Sequence, residues 1–430
     1  MIFKDTLDYM YNLLPMYQRI GKDAFKKDLT NTITLCEHLG NPQDTFNSIH
    51  IAGTNGKGSS AHMIASILCS AGYTTGLYTS PHLKNFTERI KVNGVDVDEQ
   101  YVCDFIDRIK GSIKAISPSF FEVTVAMAFD YFSRQKVDVA VIEVGLGGRF
   151  DSTNVINPIL SLITSIGFDH TDMLGETLPE IAFEKAGIIK PNVPVVISET
   201  QPETTKVFTD RAKVLDAPIF FADQEYDVFI DHKDDAFQDF TMKSKAGTYL
   251  GQTDLGGEYQ TKNIPGVIKI IDLLRESDFQ ISNKQLDQGL KNVVKNTGLL
   301  GRWQKLYEKH LTICDTVHNV AGVRLLIDQI EKIKYNKLHI IWGSVQGKDL
   351  IGLFSYLPNN AFYYFCEATI PRALPAEKLE AVAKEYGCLG TVIYDVNDAI
   401  EVARDKASVE DLIIIGGSNF IIAEIKNLKG

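Results

Sequence analysis

Ile49-His50-Ile51-Ala52-Gly53-Thr54-Asn55-Gly56-Lys57-Gly58-Ser59-Ser60 decides how the rest of the chain is read. An apolar strand enters a glycine-rich turn, then come a lysine, two hydroxyls and a helical pattern from Ala61 to Ala71. That order builds an anion site. Glycines let backbone N–H groups close around phosphates, and a helix N-terminus adds the positive end of its dipole. Lys57 would reach the outer phosphates, and a hydroxyl of Ser59 or Ser60 would meet Mg²⁺. The strict spacing G-x-x-x-x-G-K-[ST] is broken twice, by Ile51 at the first glycine and by Gly58 between Lys57 and Ser59. A glycine turn without function is the competing explanation. The succession of strand, turn, lysine and helix argues against it.

Outward from this loop, short apolar runs alternate with helical patterns, the signature of a parallel sheet. Residues 48–52, 76–79, 137–144 and 159–166 read as buried strands, and 101–115 and 121–135 as helices. A charge-dotted alternation over 226–250 suits an antiparallel edge, and 263–275 returns to helix. Glycines and short polar residues from Asn296 to Gly301 suggest a junction. Beyond it, 311–315, 337–343, 361–367, 388–395 and 411–416 predict about five strands of a second, smaller α/β domain. The expected boundaries are 1–297 and 298–430.

With 430 residues, two cores are the natural expectation. A formal net charge of -11 argues against nucleic acid or an anionic membrane as the main partner. An anionic small substrate is still allowed, because local charge at a site can oppose the net sign. The six cysteines are scattered without a C-x-x-C pair, and three lie in apolar stretches where a reduced cysteine is a small core residue. Lys4, Asp5 and Asp8 near the start are unlike a secretory apolar region, and no long apolar span follows, so a cytoplasmic location is expected.

Ligands of an open parallel sheet bind outside the carboxyl ends of its strands. There the first strand delivers the phosphate loop, the second Thr79-Ser80-Pro81-His82, the third Glu143 and the fourth Asp169-His170. Each has a plainer explanation. Ser80 suits a turn before proline. Glu143, costly at the end of an apolar strand unless paired, would be satisfied by Arg149 or by a metal. His170 would serve as a hydrogen-bonded loop residue, since Mg²⁺ prefers oxygen. Thr177 to Glu180 reads as a capping box with Pro179 in the first turn and Gly187 as the stop. Lys185 then lies in the last turn, as a cation favoured by the dipole or as a residue facing the metal site.

Gly53-Thr54-Asn55-Gly56-Lys57-Gly58-Ser59 resembles the phosphate loop of the Mur ligase superfamily, and Lys57-Gly58-Ser59 its folylpolyglutamate synthase and dihydrofolate synthase branch. Thr79 to Leu83 with Phe86, Glu88, Arg89 and Ile90 resembles that family's folate-contacting loop. Glu143-Val144-Gly145-Leu146-Gly147-Gly148-Arg149-Phe150-Asp151-Ser152-Thr153-Asn154, Ile166 to His170 and Glu184 to Ile188 continue the likeness. The resemblance implies a two-domain α/β architecture, a P-loop ATPase parallel-sheet domain followed by a smaller Rossmann-like domain. It implies Mg²⁺ ligands at Ser59, Ser80, Glu143, His170 and a CO₂-carbamylated Lys185, around two metal sites. Ser80, Pro81, His82, Phe86, Arg89 and Asp151 would meet the acid substrate.

Gly53 to Ser60 would hold ATP, together with Asn263, Arg302 and Asp315. Gln260 and Asn263 match a family element H-Q-x-x-N-A in which Tyr259 and Ile264 depart from the pattern. Asp315-Thr316-Val317-His318-Asn319 resembles D-G-A-H-N, where the aspartate meets the ribose, and Thr316 and Val317 depart from it. Asp315 would equally serve as a helix N-cap after a strand. His318 and Ser418 would face the incoming amino acid.

These parts suit phosphoryl transfer followed by capture. A carboxylate attacks the γ-phosphate of ATP, and an amine displaces phosphate from the acyl phosphate. Lys57 and Mg²⁺ would stabilise the transferring charge, and domain closure would exclude water. The resemblance therefore implies an ATP-dependent amide ligase joining L-glutamate to dihydropteroate or a reduced folate, with ATP as cosubstrate and K⁺ dependence open. A monomer is expected, without nucleic-acid or membrane partners. A UDP-muramoyl amino-acid ligase and a nucleotide-hydrolysing switch are the alternatives.

Overall fold

β1 (Asn47–Ala52) occupies the middle of an eight-stranded sheet, and its last five residues are buried. A strand covered on both faces needs an unbroken apolar run, which Ile49, Ile51 and Ala52 largely supply. The structure, a computed structural model, describes residues 2–16, 27–233, 237–307 and 309–428. The other strands of this sheet are β2 (Thr75–Tyr78), β3 (Ile90–Val92), β4 (Val95–Asp96), β5 (Val139–Glu143), β6 (Leu160–Ile163), β7 (Val195–Ile197) and β8 (Ile219–Phe221). Their order is β4-β3-β2-β5-β1-β6-β7-β8; β3 pairs antiparallel with both β2 and β4 at one edge, and the remaining pairs are parallel. β3, β4, β7 and β8 were not expected from the sequence. Each has three residues or fewer, too few for periodicity to register.

α1 (Lys57–Ser70) follows the loop and is buried without interruption from Ser59 to Leu68. A helix covered on all sides must be apolar or internally paired all round. Two of its polar residues find partners: Ser66 Oγ donates to the Gly289 carbonyl at 2.6 Å, and His62 Nδ1 lies 2.7 Å from Thr297 Oγ1. α2 (Glu99–Ile116) and α3 (Phe120–Gln135) begin one or two residues earlier than the apolar period indicates. Asp98 and the Ser119–Glu122 capping box hold those first turns. β9 (Tyr226–Lys233), β10 (Gln238–Ser244) and β11 (Gly247–Thr253) form the expected antiparallel sheet; residues 234–236 of that reading lie outside the described residues.

The chain divides into two compact units, Met1–Asp254 with Gln260–Leu299, and Leu300–Gly430 with Leu255–Tyr259. The second unit holds a six-stranded sheet ordered β12-β13-β17-β14-β15-β16. Its strands are β12 (Gln304–Tyr307), β13 (Thr312–Cys314), β14 (Leu338–Trp342), β15 (Phe362–Phe365), β16 (Gly390–Val392) and β17 (Leu412–Gly416). Five run parallel, as the sequence predicts, and β12 adds an antiparallel edge. Trp342, Tyr363 and Phe365 lie in this unit's core. The six cysteines are free, and no helix among the described residues is long and apolar enough to cross a membrane.

Candidate active site

Two glycines of the loop are demanded by geometry. Gly53 has φ +149°, and a Cβ there would lie 1.8 Å from Thr164 Oγ1. Gly56, at φ +90°, caps α1, and a Cβ would lie 2.1 Å from Asn263 Oδ1. The loop is stitched to the segment after β6. Thr54 N donates to Ser165 O at 2.8 Å, Thr164 Oγ1 donates to Asn55 O at 2.7 Å, and Thr54 Oγ1 donates to Gly167 O at 3.0 Å. Lys57 Nζ folds back onto the loop, donating to the carbonyls of Gly53 at 3.0 Å and Thr54 at 3.2 Å.

Sheet order places the ends of β2, β5, β1 and β6 side by side, so Ser80, Glu143, the loop and His170 follow neighbouring strands. Glu143 is buried, and its Oε2 accepts from Ser80 N at 3.1 Å. The alternative pairing with Arg149 does not form. Arg149 binds Glu184 instead, Nη2 to Oε1 at 2.7 Å, with its guanidinium 4.4 Å from the Phe150 ring centroid and 5.0 Å from that of Phe183. His170 has φ +51° and precedes the short helix Thr171–Leu174.

The Thr177–Glu180 capping box forms as read, and α4 (Leu178–Lys185) ends at Lys185. Gly187 is not the left-handed stop expected of it. It lies in a following 3₁₀ turn, and a Cβ there would meet Arg149 Cα at 2.3 Å, so glycine serves close backbone approach. Lys185 itself is only 4% exposed, and its Nζ donates to Gly53 O at 2.9 Å, the same carbonyl that Lys57 uses. Burial, and then the Lys57 charge, push its ammonium from 10.5 down to about 7. A shift of that size disfavours the charge by on the order of 5 kcal/mol. A helix-end cation gains only about 0.3–1 kcal/mol from the dipole. The plain dipole explanation of Lys185 is therefore outweighed by its burial.

The loop after β2 is held at both ends by carboxylates. Glu143 takes Ser80 N, and Glu88 takes Leu83 N at 2.8 Å, Lys84 N at 3.1 Å and Asn85 N at 3.1 Å. Between them, the buried Arg89 donates from Nε to His82 Nδ1 at 2.7 Å, and Phe86 packs edge-on to the His82 ring. The Ser80–Pro81 bond is cis. Asp151 is 2% exposed, and its carboxylate accepts from Leu146 N at 2.8 Å, Thr153 N at 3.0 Å and Thr153 Oγ1 at 2.5 Å. Those bonds close the glycine loop on itself, which makes Asp151 a loop anchor in this geometry.

α5 (Gln260–Arg275) brings Asn263 to the phosphate loop. Gln260, which the sequence reading gave no role of its own, bridges Asn263 Nδ2 at 2.8 Å and Ser59 Oγ at 3.4 Å. In the second unit, Asp315 is buried and accepts from Tyr259 Oη at 2.7 Å, Trp303 N at 2.8 Å and Val317 N at 3.1 Å. It does not cap the next helix, α6 (Val320–Ile330), whose N-cap is Asn319, with Oδ1 accepting from Gly322 N at 2.9 Å. Arg302 Nη1 donates to Gly301 O at 3.2 Å and also contacts Thr316 Oγ1. His318 Nδ1 lies 2.9 Å from Thr316 O; a carbonyl only accepts, so Nδ1 carries a hydrogen, and in the neutral ring Nε2 then has the lone pair. Gly417 N donates to Val317 O at 3.0 Å, which ties the Ser418 segment to the His318 segment. Ser418 Oγ itself accepts from Phe420 N at 3.1 Å.

The donor set suits Mg²⁺. No cluster of three or more His, Cys, Asp or Glu side chains among the described residues is placed to hold a metal alone. Ser59, Ser80 and Glu143 instead offer hard oxygens beside a phosphate loop, and Ser60 Oγ is buried without a protein partner among the described residues. Mg²⁺ is commonly held by one or two carboxylates plus substrate phosphates, which is what this arrangement provides.

Residues 51–271 match the Mur ligase middle domain, and 301–419 match the Mur ligase glutamate ligase domain. The chain is 33% identical over 424 residues to the dihydrofolate synthase/folylpolyglutamate synthase of Bacillus subtilis, covering 95% of this chain and 96% of the relative. Mycobacterium tuberculosis folylpolyglutamate synthase complexed with ADP and AMPPCP superposes with TM-score 0.89 at 31% identity, covering 100% of this chain and 99% of that one. Escherichia coli FolC in complex with DHPP and ADP gives 0.85 at 28%, covering 98% and 96%. With both ligase domains matched and these relatives aligned end to end, the chain belongs to the Mur ligase family, in its folylpolyglutamate synthase/dihydrofolate synthase branch.

Proposed function

We propose that this protein joins L-glutamate to a pterin-bearing carboxylic acid, dihydropteroate or a reduced folate, at the expense of ATP and through an acyl phosphate. The observation that carries the reading is the row of strand ends Ser80, Glu143, phosphate loop and His170, with Lys57 and Lys185 converging on Gly53 O. The relatives' names and bound ligands support the substrate classes.

A carboxylate is a poor acyl donor because its charge repels nucleophiles. Its oxygen forms a bond to the γ-phosphorus of ATP while the bond from that phosphorus to the leaving ADP oxygen breaks. Among the described residues, Lys57 is held by two carbonyls, so it can exchange them for phosphoryl oxygens and meet the charge that develops there. The glutamate nitrogen then attacks the acyl carbon, sheds a proton, and inorganic phosphate leaves. His318, with its lone pair on Nε2, has the tautomer a proton acceptor needs. Ser418 would help hold the amino acid. When bound, Mg²⁺ supplies positive charge to the phosphoryl oxygens. Ser59, Ser80, Glu143 and His170 would hold it, joined by Lys185 after its neutral amine adds CO₂ and releases a proton. Location in the cytoplasm and action as a monomer belong to the same proposal.

The test is an ADP assay with purified protein, ATP, Mg²⁺ and glutamate, adding dihydropteroate or tetrahydrofolate. ADP should form in amounts equal to the amide and only when glutamate and an acid are both present. ADP released without them would make the protein a hydrolysing switch, and no turnover with either acid would favour the UDP-muramoyl alternative.

A further inference from the structure

β6 and β7 pair as far as Ile163, whose carbonyl accepts from Ser198 N at 2.9 Å just past the end of β7. The segment after β6 is nevertheless covered, and Ile166 is only 5% exposed. A buried peptide N–H and C=O must each find a partner. For Ile166 one side chain supplies both. Its N–H donates to Gln201 Oε1 at 3.0 Å, and Gln201 Nε2 donates to its carbonyl at 2.9 Å. A primary amide offers donor and acceptor side by side, so Gln201 stands in for the backbone of a longer β7.

Helix capping does not explain this placement. Gln201 is the N-cap of the helix Pro202–Val214, yet among the described residues its side chain makes no capping bond. Favoured N-caps are Ser, Thr, Asn and Asp, whose short side chains reach the helix's own N–H groups. The longer amide of Gln201 reaches Ile166 instead. Thr200, just before it, is braced by Asp223, donating from N at 2.7 Å and from Oγ1 at 2.6 Å. On its other side the same segment bonds the phosphate loop. Ser165 O accepts from Thr54 N at 2.8 Å, Gly167 N donates to Thr54 Oγ1 at 3.0 Å, and Thr54 Oγ1 donates to Gly167 O at 3.0 Å.

We propose that Gln201 is a positioning residue for the phosphate loop: its amide fixes residues 165–167, and these hold Thr54 in the conformation that admits a polyphosphate. The inference rests on the nucleotide-binding reading above. A buried N–H or C=O left without a partner costs more than a hydrogen bond ordinarily contributes. Losing the amide therefore favours a shift of 165–167, and Thr54 shifts with them. Nucleotide binding must then restore the loop, which weakens affinity.

The experiment compares full-length wild type with Gln201→Asn and Gln201→Met by calorimetric titration with ADP and Mg²⁺, thermal unfolding, and hydrogen exchange at the Ile166 amide. Gln201 is partly exposed, so neither change empties the core. Asn is a favoured N-cap but too short to reach Ile166, and Met keeps the length without donor or acceptor. Both variants should raise the Kd for ADP by about 10-fold or more, the scale of one good hydrogen bond, and speed Ile166 exchange by a similar factor. Gln201→Asn should unfold at a higher temperature than Gln201→Met while binding ADP no better; a merely structural role would make affinity follow stability. Variants that keep the wild-type Kd within about twofold, an Asn variant that regains affinity together with stability, or unchanged Ile166 exchange overturns the inference. A wild type that does not bind ADP overturns the phosphate-loop reading instead, and Ile166 exchange still reports whether Gln201 holds the segment.

Discussion

Lys57→Ala should lower kcat by about 10²- to 10³-fold, the cost typical of losing one preorganised donor to a charged transition state. The fold should survive, because Lys57 is partly exposed and its two hydrogen bonds go to carbonyls of its own loop. The bonds that Thr54, Thr164 and Ser165 make to the loop are untouched by the substitution. Thermal unfolding and kinetics on the same sample check this. A folded Lys57→Ala protein with near-normal turnover would remove Lys57 from phosphoryl transfer.

Lys185→Ala should be nearly inactive, a loss exceeding about 10²-fold if the carbamate supplies oxygen ligands that no other side chain replaces. Short carboxylic acids that enter the vacated space should restore part of it. A second expectation separates carbamylation from a simple positive charge. CO₂ adds only to neutral amine, and Lys185 stands at about 7. At a fixed CO₂ concentration, activation of carbonate-depleted enzyme should therefore rise as pH passes through about 7 and level off roughly one unit higher. The same depressed value has a sign for stability. From about 7 to 10.5 the unfolded chain holds a proton that the native state lacks, so this group's contribution to stability rises with pH across that window. Activity indifferent to CO₂ depletion, or a fully active Lys185→Ala, contradicts the assignment.

Much of the first unit was legible because parallel strands must be apolar and their ends must carry the chemistry. β1, β2, β5 and β6 stand where the apolar runs lie, and their order brings Ser80, Glu143 and His170 to the loop. The capping box at Thr177 and the stop expected at Gly187 put Lys185 in the last turn of α4, where it is the final residue. Carbamylation requires a partly desolvated Lys185, but the partner that meets it there was not legible, since that carbonyl belongs to Gly53, 132 residues away. Arg149 illustrates the same limit. Either Glu143 or Glu184 would satisfy it by charge, and only the seating of the glycine loop on the end of α4 selects Glu184. Asp315 follows a strand and precedes a helix, yet Asn319 takes the cap because the chain makes one more turn first. The sequence reading did not find the excursion of Leu255–Tyr259 into the second unit, whose one signal is the pair Gly256-Gly257; it gives Tyr259, the residue that departs from the family's histidine, a hydroxyl bond to Asp315.

Activation of the acid by phosphorylation would leave an isotopic record. Turnover with ATP, glutamate and an acid substrate whose carboxylate carries ¹⁸O tests it in one mass spectrum. Attack of the labelled carboxylate on the γ-phosphorus, followed by amine capture at carbon, must leave one ¹⁸O in the released inorganic phosphate and none in ADP. Label recovered in AMP would mean adenylation of the acid, and unlabelled phosphate would mean that ATP is hydrolysed without touching it; either result contradicts the acyl phosphate.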